Sequence, residues 1–414
     1  MLEFERFELK NGLRVLFHQD KETPIAAVNL IYDVGAKDES PERTGFAHLF
    51  EHLMFGGSEN VKKFDRELEQ AGGKNNAFTS NDYTNYYDTL PKSNIETALW
   101  LESDRMKALA FTDKVLNVQK GVVIEEFKQS YLNQPYGDIW ALMRSLAYKV
   151  HPYQWPTIGK EISHIEEASM QEVKDFFYRF YAPNNAILTI AGDFELSHVK
   201  ELCQKWFGSI PRRDVPVRNL PVEPVQTKAR RLTVERDVPY DAFFKAYHIC
   251  KRSDPEFYAT DIISDIFSGG ESSVLTQVLV REKKLFTNLH AFLNGSLDNG
   301  LFVFAGHLVE GVGFKEAEEA LMIEVERLKT ELVSKRELQK VKNNVEANLA
   351  FSIDGILNKA LILSNYELWT KAEVFNHEAE NYNAVSREDI LSRAQHIFRD
   401  ENSSTLYYKS KRKG

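Results

Sequence analysis

Residues 45–55 read GFAHLFEHLMF, and the central letters HLFEH place His48 and His52 four positions apart with Glu51 between them. On an α-helix, positions i and i+4 lie on one face, so both imidazoles point the same way and can bind one metal ion. The apolar residues around them predict a helix over Thr44–Phe55. This stretch therefore predicts a helix that carries a metal site.

The rest of the site has to come from elsewhere in the chain. The order His-x-x-Glu-His inverts the His-Glu-x-x-His motif of zinc proteases, and a catalytic zinc ion needs a third protein ligand. Two adjacent acids, Glu125 and Glu126, lie in a helical pattern over Asp113–Leu132, and periodicity alone does not choose between them. The alternative is a helix whose histidines only bond to carbonyls, but two apolar-flanked imidazoles are costly to bury without partners.

The surrounding sequence predicts an α+β fold. Asn11-Gly12 stands between two short strand-like runs and predicts a hairpin, with the apolar run 25–34 as a buried strand beside it. We expect mainly antiparallel sheets covered by helices. Further helical patterns occupy 61–71, 94–109 and 137–148, and a polar-aromatic run typical of paired strands occupies 75–90.

Two related halves are indicated by the organisation of the chain. Four of the 13 prolines fall in the stretch PRRDVPVRNLPVEP, which can be neither helix nor central strand. On either side of it, Ser169 and Ser386 each open a capping-box helix that leads to an apolar strand, at an offset of about 217 residues. We predict a metal-binding half at 1–210, a linker at 211–230 and a second half at 231–414.

Composition and charge exclude several classes of protein. The 414 residues are 43% hydrophobic and 27% charged, as in ordinary globular proteins, and the net charge of −9 provides no positive field for nucleic acid or anionic lipid. Only Cys203 and Cys250 occur, so neither a disulfide framework nor a four-thiolate metal site can form. With no signal peptide and no long apolar run, we expect a cytoplasmic protein that does not associate with membranes.

The stretch GFAHLFEHLMFGGS, followed seventy-odd residues later by VVIEEF, resembles the pitrilysin/insulinase family of inverted-motif zinc metallopeptidases. The resemblance spans nearly the whole chain and is closest to half-length members such as the catalytic subunit of the mitochondrial processing peptidase. It implies that His48, His52 and Glu126 bind one zinc ion per chain and that Glu51 is the general base. It also implies two α/β-roll halves, the second of which contributes to the substrate chamber.

The resemblance implies further roles, although the chain departs from the family at two positions. Gln119 stands where many members have a second glutamate, two turns before the third ligand. Arg281 matches a family arginine that holds the substrate, but Asn288, seven positions on, replaces the family's tyrosine. The alternative for Arg281 is a solvent-facing cation. An extended substrate would pair with an edge strand formed by Asn76, Ala77, Phe78 and Thr79. The alternative is that this strand is an ordinary solvated edge.

These features predict a zinc-dependent endopeptidase that hydrolyses peptides or unfolded polypeptide segments by metal-activated water. The rival is a non-catalytic scaffold or partner subunit of a heterodimeric peptidase, which the missing tyrosine favours and the intact metal motif opposes. Full-length members close two pairs of halves around the substrate, and this chain has one pair. We therefore expect a homodimer, or a heterodimer with a related chain, in which Arg281 reaches the neighbouring site.

Overall fold

The computed structural model describes residues 1–295 and 297–411, which form two compact units. The first unit comprises Met1–Gln129, Trp155–Leu220 and Ala350–Asn376. The second comprises Ser130–Gln154, Pro221–Leu349 and His377–Gly414. The division at 210 and 230 that the sequence suggested therefore separates the two units only in part, since each unit also takes one segment from the opposite half of the chain.

The regular elements follow the sequence patterns closely. The strands are β1 (Glu5–Glu8), β2 (Arg14–Gln19), β3 (Ile25–Tyr32), β4 (Lys74–Thr79), β5 (Thr84–Pro91), β6 (Ala186–Gly192), β7 (Arg230–Arg236), β8 (Ala242–His248), β9 (Phe286–Asn294), β10 (Leu301–Leu308) and β11 (Ser403–Ser410). The helices are α1 (Phe46–Leu53), α2 (Phe64–Gln70), α3 (Ile95–Lys107), α4 (Asp113–Phe127), α5 (Ile139–Ala147), α6 (Ile162–Glu166), α7 (Met170–Phe180), α8 (Leu196–Phe207), α9 (Phe257–Ser268), α10 (Phe314–Thr330), α11 (Lys335–Ser352), α12 (Ile356–Trp369), α13 (Glu378–Ala384) and α14 (Arg387–Ile397). Among the described residues, no helix is both long and apolar enough to span a bilayer.

A six-stranded sheet in the order β1-β2-β6-β3-β5-β4 forms the centre of the first unit. The predicted hairpin joins β1 and β2, and Gly12 at its turn has a φ of 88°, which suits glycine. The prediction that β3 lies beside this hairpin was wrong, because β6 pairs in parallel with β2 and antiparallel with β3 and so separates them. The strand that fills this place returns from far along the chain, where a local pattern cannot locate it.

The second unit repeats the arrangement of the first. Its sheet has the order β7-β11-β8-β10-β9, which matches β2-β6-β3-β5-β4 strand for strand, with one parallel pair in each sheet. Both predicted capping boxes are present: Ser169 caps α7 and Ser386 caps α14, and the equivalent strands β6 and β11 follow them. The fold is thus two related α/β halves with mainly antiparallel sheets covered by helices, as the sequence predicts.

Each sheet also packs against a helix that comes from the other half of the chain. In the first unit, α12 covers β3 and β6, and the hydroxyl of Ser364 accepts from Asn29 Nδ2 at 2.7 Å and donates to Thr189 Oγ1 at 2.7 Å. In the second unit, α5 covers β8 and β11, where buried Ile139 and Met143 join the apolar core. These two helices account for the exchanged segments of the units.

Candidate metal centre

The start of α1 is fixed by contacts from outside the helix. Gly45 precedes α1 with a φ of 89°, and a Cβ there would lie 2.7 Å from the carbonyl oxygen of Ile158. A glycine has no side chain to cap the helix. Instead, the buried carboxylate of Glu39 accepts from the backbone N–H of Gly45 at 2.9 Å and of Ala47 at 2.8 Å. Because two hydrogen bonds to the Glu39 side chain hold the first turn, the rest of α1 starts from a defined position.

The rotation of α1 about its axis is set by its apolar face. Leu49, Phe50 and Leu53 are buried, and the Phe50 ring stacks 5.0 Å from Phe176 and 5.1 Å from Tyr181. This packing directs the opposite face of α1, which carries the two histidines of the motif, toward α4.

Three side chains converge between α1 and α4. His48 Nε2 lies 3.6 Å from Glu126 Oε1, and His52 Nε2 lies 3.4 Å from Glu126 Oε2. A tetrahedral zinc ion bound at about 2.0–2.2 Å holds neighbouring ligand atoms about 3.4 Å apart, so the three side chains fit one zinc ion. No second group of this kind occurs in the part of the chain that the structure describes.

The environment also favours the protonation states that bind a cation. Burial lowers the pKa of His48 to about 4, so its imidazole is neutral and keeps a lone pair. The hydrogen bond from His52 lowers the pKa of Glu126, which keeps the carboxylate ionised. Two imidazoles and a carboxylate form the donor set of many catalytic zinc sites.

The structure distinguishes the two adjacent acids of α4. Glu126 lies three positions after buried Val123, on the same face of the helix, whereas Glu125 lies two positions after it and is exposed. The hydroxyl of Thr112 caps α4 by accepting from Val115 N. Glu126 therefore joins the group of three that could hold a metal ion, and Glu125 does not.

Glu51 lies beside this group but outside it. Its Oε2 accepts a hydrogen bond from Thr79 Oγ1 at 2.6 Å, and the side chain is partly buried. Burial raises the pKa of Glu51, and the hydrogen bond from Thr79 opposes this effect. Sequence reasoning placed Thr79 in a substrate strand and missed this contact, because no local spacing links it to Glu51.

Strand β4 contains the four residues expected to bind substrate. It stands at the edge of its sheet and pairs with β5. Asn76 and Phe78 are exposed, whereas Ala77 is buried and Thr79 is partly buried on the face toward α1. The exposed side chains therefore lie on the face away from α1, and the backbone edge that does not pair with β5 is left unpaired.

Arg281 and Asn288 lie in the second unit and not in this group. Arg281 belongs to a π-helical turn, Thr276–Glu282, is about half exposed and forms an ion pair with the exposed Glu271. Asn288 is on the edge strand β9, where its Oδ1 accepts from the backbone N–H of His307 at 3.2 Å.

Sequence reasoning did not identify Glu39 as the residue that holds the start of α1, because Glu39 lies outside this helix and has no fixed spacing to the motif.

Comparisons with known proteins identify the family of the chain. Residues 14–159 match the family model described as Insulinase (Peptidase family M16), and residues 167–345 match the model described as Peptidase M16 inactive domain. The zinc protease PqqE of Helicobacter pylori is 28% identical, with 98% of this chain and 92% of that protein covered. The mitochondrial-processing peptidase subunit beta of Saccharomyces cerevisiae is 24% identical, with 96% and 89% covered.

A solved structure supports the same assignment. The crystal structure of a protease from Helicobacter pylori superposes with a TM-score of 0.93 at 27% identity and covers 99% of this chain and 100% of that chain. The two family models match the two halves of the sequence in order, and the relatives named as zinc proteases or processing peptidase are matched along almost their whole length. The chain belongs to the pitrilysin/insulinase family of peptidases, family M16, and to its half-length type.

Proposed function

We propose that the protein is a zinc-dependent endopeptidase that hydrolyses peptides or unfolded polypeptide segments. The observation that carries this proposal is the spacing of His48, His52 and Glu126, which suits one zinc ion per chain. The names of the relatives as zinc proteases support the same chemistry.

Glu51 has the position and chemistry of a general base. With zinc held by the three ligands, the site would supply Lewis-acid catalysis, which lowers the pKa of water and polarises a carbonyl group. The Glu51 carboxylate, next to the ligands and held by Thr79, takes a proton from the attacking water and passes it to the leaving amine. A glutamine at position 51 would present an uncharged amide, which cannot accept that proton.

The edge strand β4 supplies a way to hold an extended substrate. Strand addition uses the backbone N–H and C=O groups of the edge, so it accepts many sequences and requires an unfolded segment. Residues Asn76 to Thr79 would line the bound peptide, with exposed Phe78 contacting its side chains.

The rival function is a non-catalytic scaffold or partner subunit. It is the weaker proposal, because such a subunit has no need of two histidines and a carboxylate at ligand spacing. Peptide hydrolysis and metal content separate the two functions directly.

The test combines zinc analysis with the cleavage of a fluorogenic unfolded polypeptide by the purified chain. Wild type should hold about one zinc ion per chain and cleave the polypeptide. Glu51→Gln should keep the zinc and the fold but lose at least about a hundredfold in hydrolysis, which is what a general base contributes. Glu125→Gln, an exposed acid on α4, is the matched control and should cleave normally. Hydrolysis retained by Glu51→Gln would reject the mechanism, and zinc binding without hydrolysis would favour the rival function.

The working unit of the enzyme is proposed to be a homodimer, with a heterodimer of related chains as the other outcome. The support is that the chain belongs to the half-length type of the family and that the yeast relative is named as a subunit. Arg281, about half exposed on its π-helical turn, is proposed to reach the site of the neighbouring protomer, with Asn288 nearby as a hydrogen-bond donor. Mixing Glu51→Gln with Arg281→Ala protein should restore activity. Full activity from a chain that sediments as a monomer would reject a shared site.

A further inference from the structure

We infer that Thr79 is a positioning residue, which fixes the carboxylate of Glu51 in the orientation that proton transfer requires. The inference rests on the proposed function, because it assumes that Glu51 is the base. It assigns the side chain of Thr79 to the enzyme's own machinery, although the strand around it was expected only to bind substrate.

The contact between the two side chains is short and well directed. Thr79 Oγ1 donates to Glu51 Oε2 at 2.6 Å, in the range of a strong hydrogen bond to an ionised oxygen. In the described part of the chain, this is the only hydrogen bond to the Glu51 carboxylate. Without it, the χ angles of a glutamate on an eight-residue helix would be set only by packing.

The strand geometry explains why this particular residue makes the contact. Side chains alternate along β4, so Thr79 shares a face with buried Ala77, and that face lies toward α1. Asn76 and Phe78 point to the other face. Threonine is β-branched and stiff at χ1, so its hydroxyl has few alternative positions. A rigid donor therefore faces the carboxylate.

This contact links substrate binding and catalysis through one strand. The backbone of β4 is the proposed partner of the substrate, and a side chain of the same strand orients the base. The distance between the bound peptide and the Glu51 carboxylate is then set by a short, paired strand rather than by a loop. Small displacements of a catalytic group lower the rate steeply, so such a link matters for turnover.

The test uses Thr79→Val, which keeps the shape of the side chain and removes the hydroxyl, and Thr79→Ser, which keeps the hydroxyl. The matched control is Thr89→Val on β5, which pairs with Lys74 at the other end of the same hairpin. We expect Thr79→Val to lower kcat at least about tenfold, since hydrogen bonds to charged groups are strong, with KM changed less than twofold. Thr79→Ser should recover most of the rate. Zinc content and affinity should stay at the wild-type values in all three variants.

Five results would overturn the inference. A raised KM with unchanged kcat in Thr79→Val would show that the hydroxyl contacts substrate. A loss of zinc would show that the residue only supports the fold. If Thr79→Val lowers the rate of Glu51→Gln as much as that of wild type, the hydroxyl acts independently of Glu51. Normal cleavage by Thr79→Val beside an inactive Glu51→Gln rejects this inference alone. Normal cleavage by Glu51→Gln rejects the proposed function and this inference with it.

Discussion

Replacing Glu126 by glutamine is expected to weaken zinc binding, whereas the same change at Glu125 is expected to leave it unchanged. The two acids are adjacent on α4, so the pair compares the same chemistry at neighbouring positions. The Glu126 carboxylate oxygens lie 3.6 and 3.4 Å from the Nε2 atoms of His48 and His52, and Glu125 faces solvent. An amide has no negative charge and is a poor ligand for zinc.

The size of the effect follows from the number of ligands. Zinc sites in small peptides bind the metal with roughly 10–16 kcal/mol shared among four ligands, which is about 2.5–4 kcal/mol for each ligand. Since a factor of ten in affinity corresponds to about 1.4 kcal/mol, the loss of one ligand weakens binding roughly a hundredfold to a thousandfold. Both histidines remain in the Glu126 variant, so some binding should persist.

Competition with a chromophoric chelator at neutral pH measures these affinities. Circular dichroism of both variants without metal checks that the fold is retained. Unchanged affinity in Glu126→Gln together with a large loss in Glu125→Gln would mean that Glu125, and not Glu126, is the third ligand. Unchanged affinity in both variants would exclude α4 as the source of the third ligand.

Three further predictions concern the structure that holds the site. Asp88 is buried beside Arg105 and Glu102, and burial raises the pKa of Asp88 well above the usual range. The folded state therefore keeps a proton that the unfolded chain releases. Thermal stability should therefore fall as the pH rises above about 4, and Asp88→Asn should flatten this dependence in melting curves. Glu39→Ala removes two hydrogen bonds from the start of α1 and should cost about 2–3 kcal/mol and weaken zinc binding, as measured by denaturant unfolding and chelator competition. Ser364→Ala removes the acceptor of the buried Asn29 Nδ2 and should cost about 1–3 kcal/mol by the same unfolding assay.

The local parts of the site could be predicted from the sequence. His48 and His52 are four positions apart, and a helix of any origin puts them on one face. The third ligand could be narrowed only to two acids, because the rotation of α4 depends on which of its residues are buried, and Val123 is buried against other elements. The contact from Thr79 to Glu51 joins a strand to a helix 28 residues away, so spacing carried no signal for it. The cytoplasmic location stays a prediction.

The same distinction between local and distant contacts applies to the fold. The hairpin, the two capping boxes and the irregular linker each depend on a few adjacent residues, and the sequence predicted them. The insertion of β6 between β2 and β3 depends on pairing with a strand from the far end of the first half. The exchange of α5 and α12 between the units depends on contacts with strands that are far away in the sequence. Neither feature has a local signature.

The repeated topology shows why the fold alone does not determine the chemistry. In chain order α9 follows β8 as α1 follows β3, and the strands around the two helices pair in the same way. The residues of α9, FYATDIISDIFS, include no histidine, and no metal-binding group is found in the second unit among the described residues. One scaffold thus occurs twice in the chain, and among the described residues only one copy carries candidate metal ligands. The five letters HLFEH and one glutamate of α4 therefore carry the information on function that the sheet topology lacks.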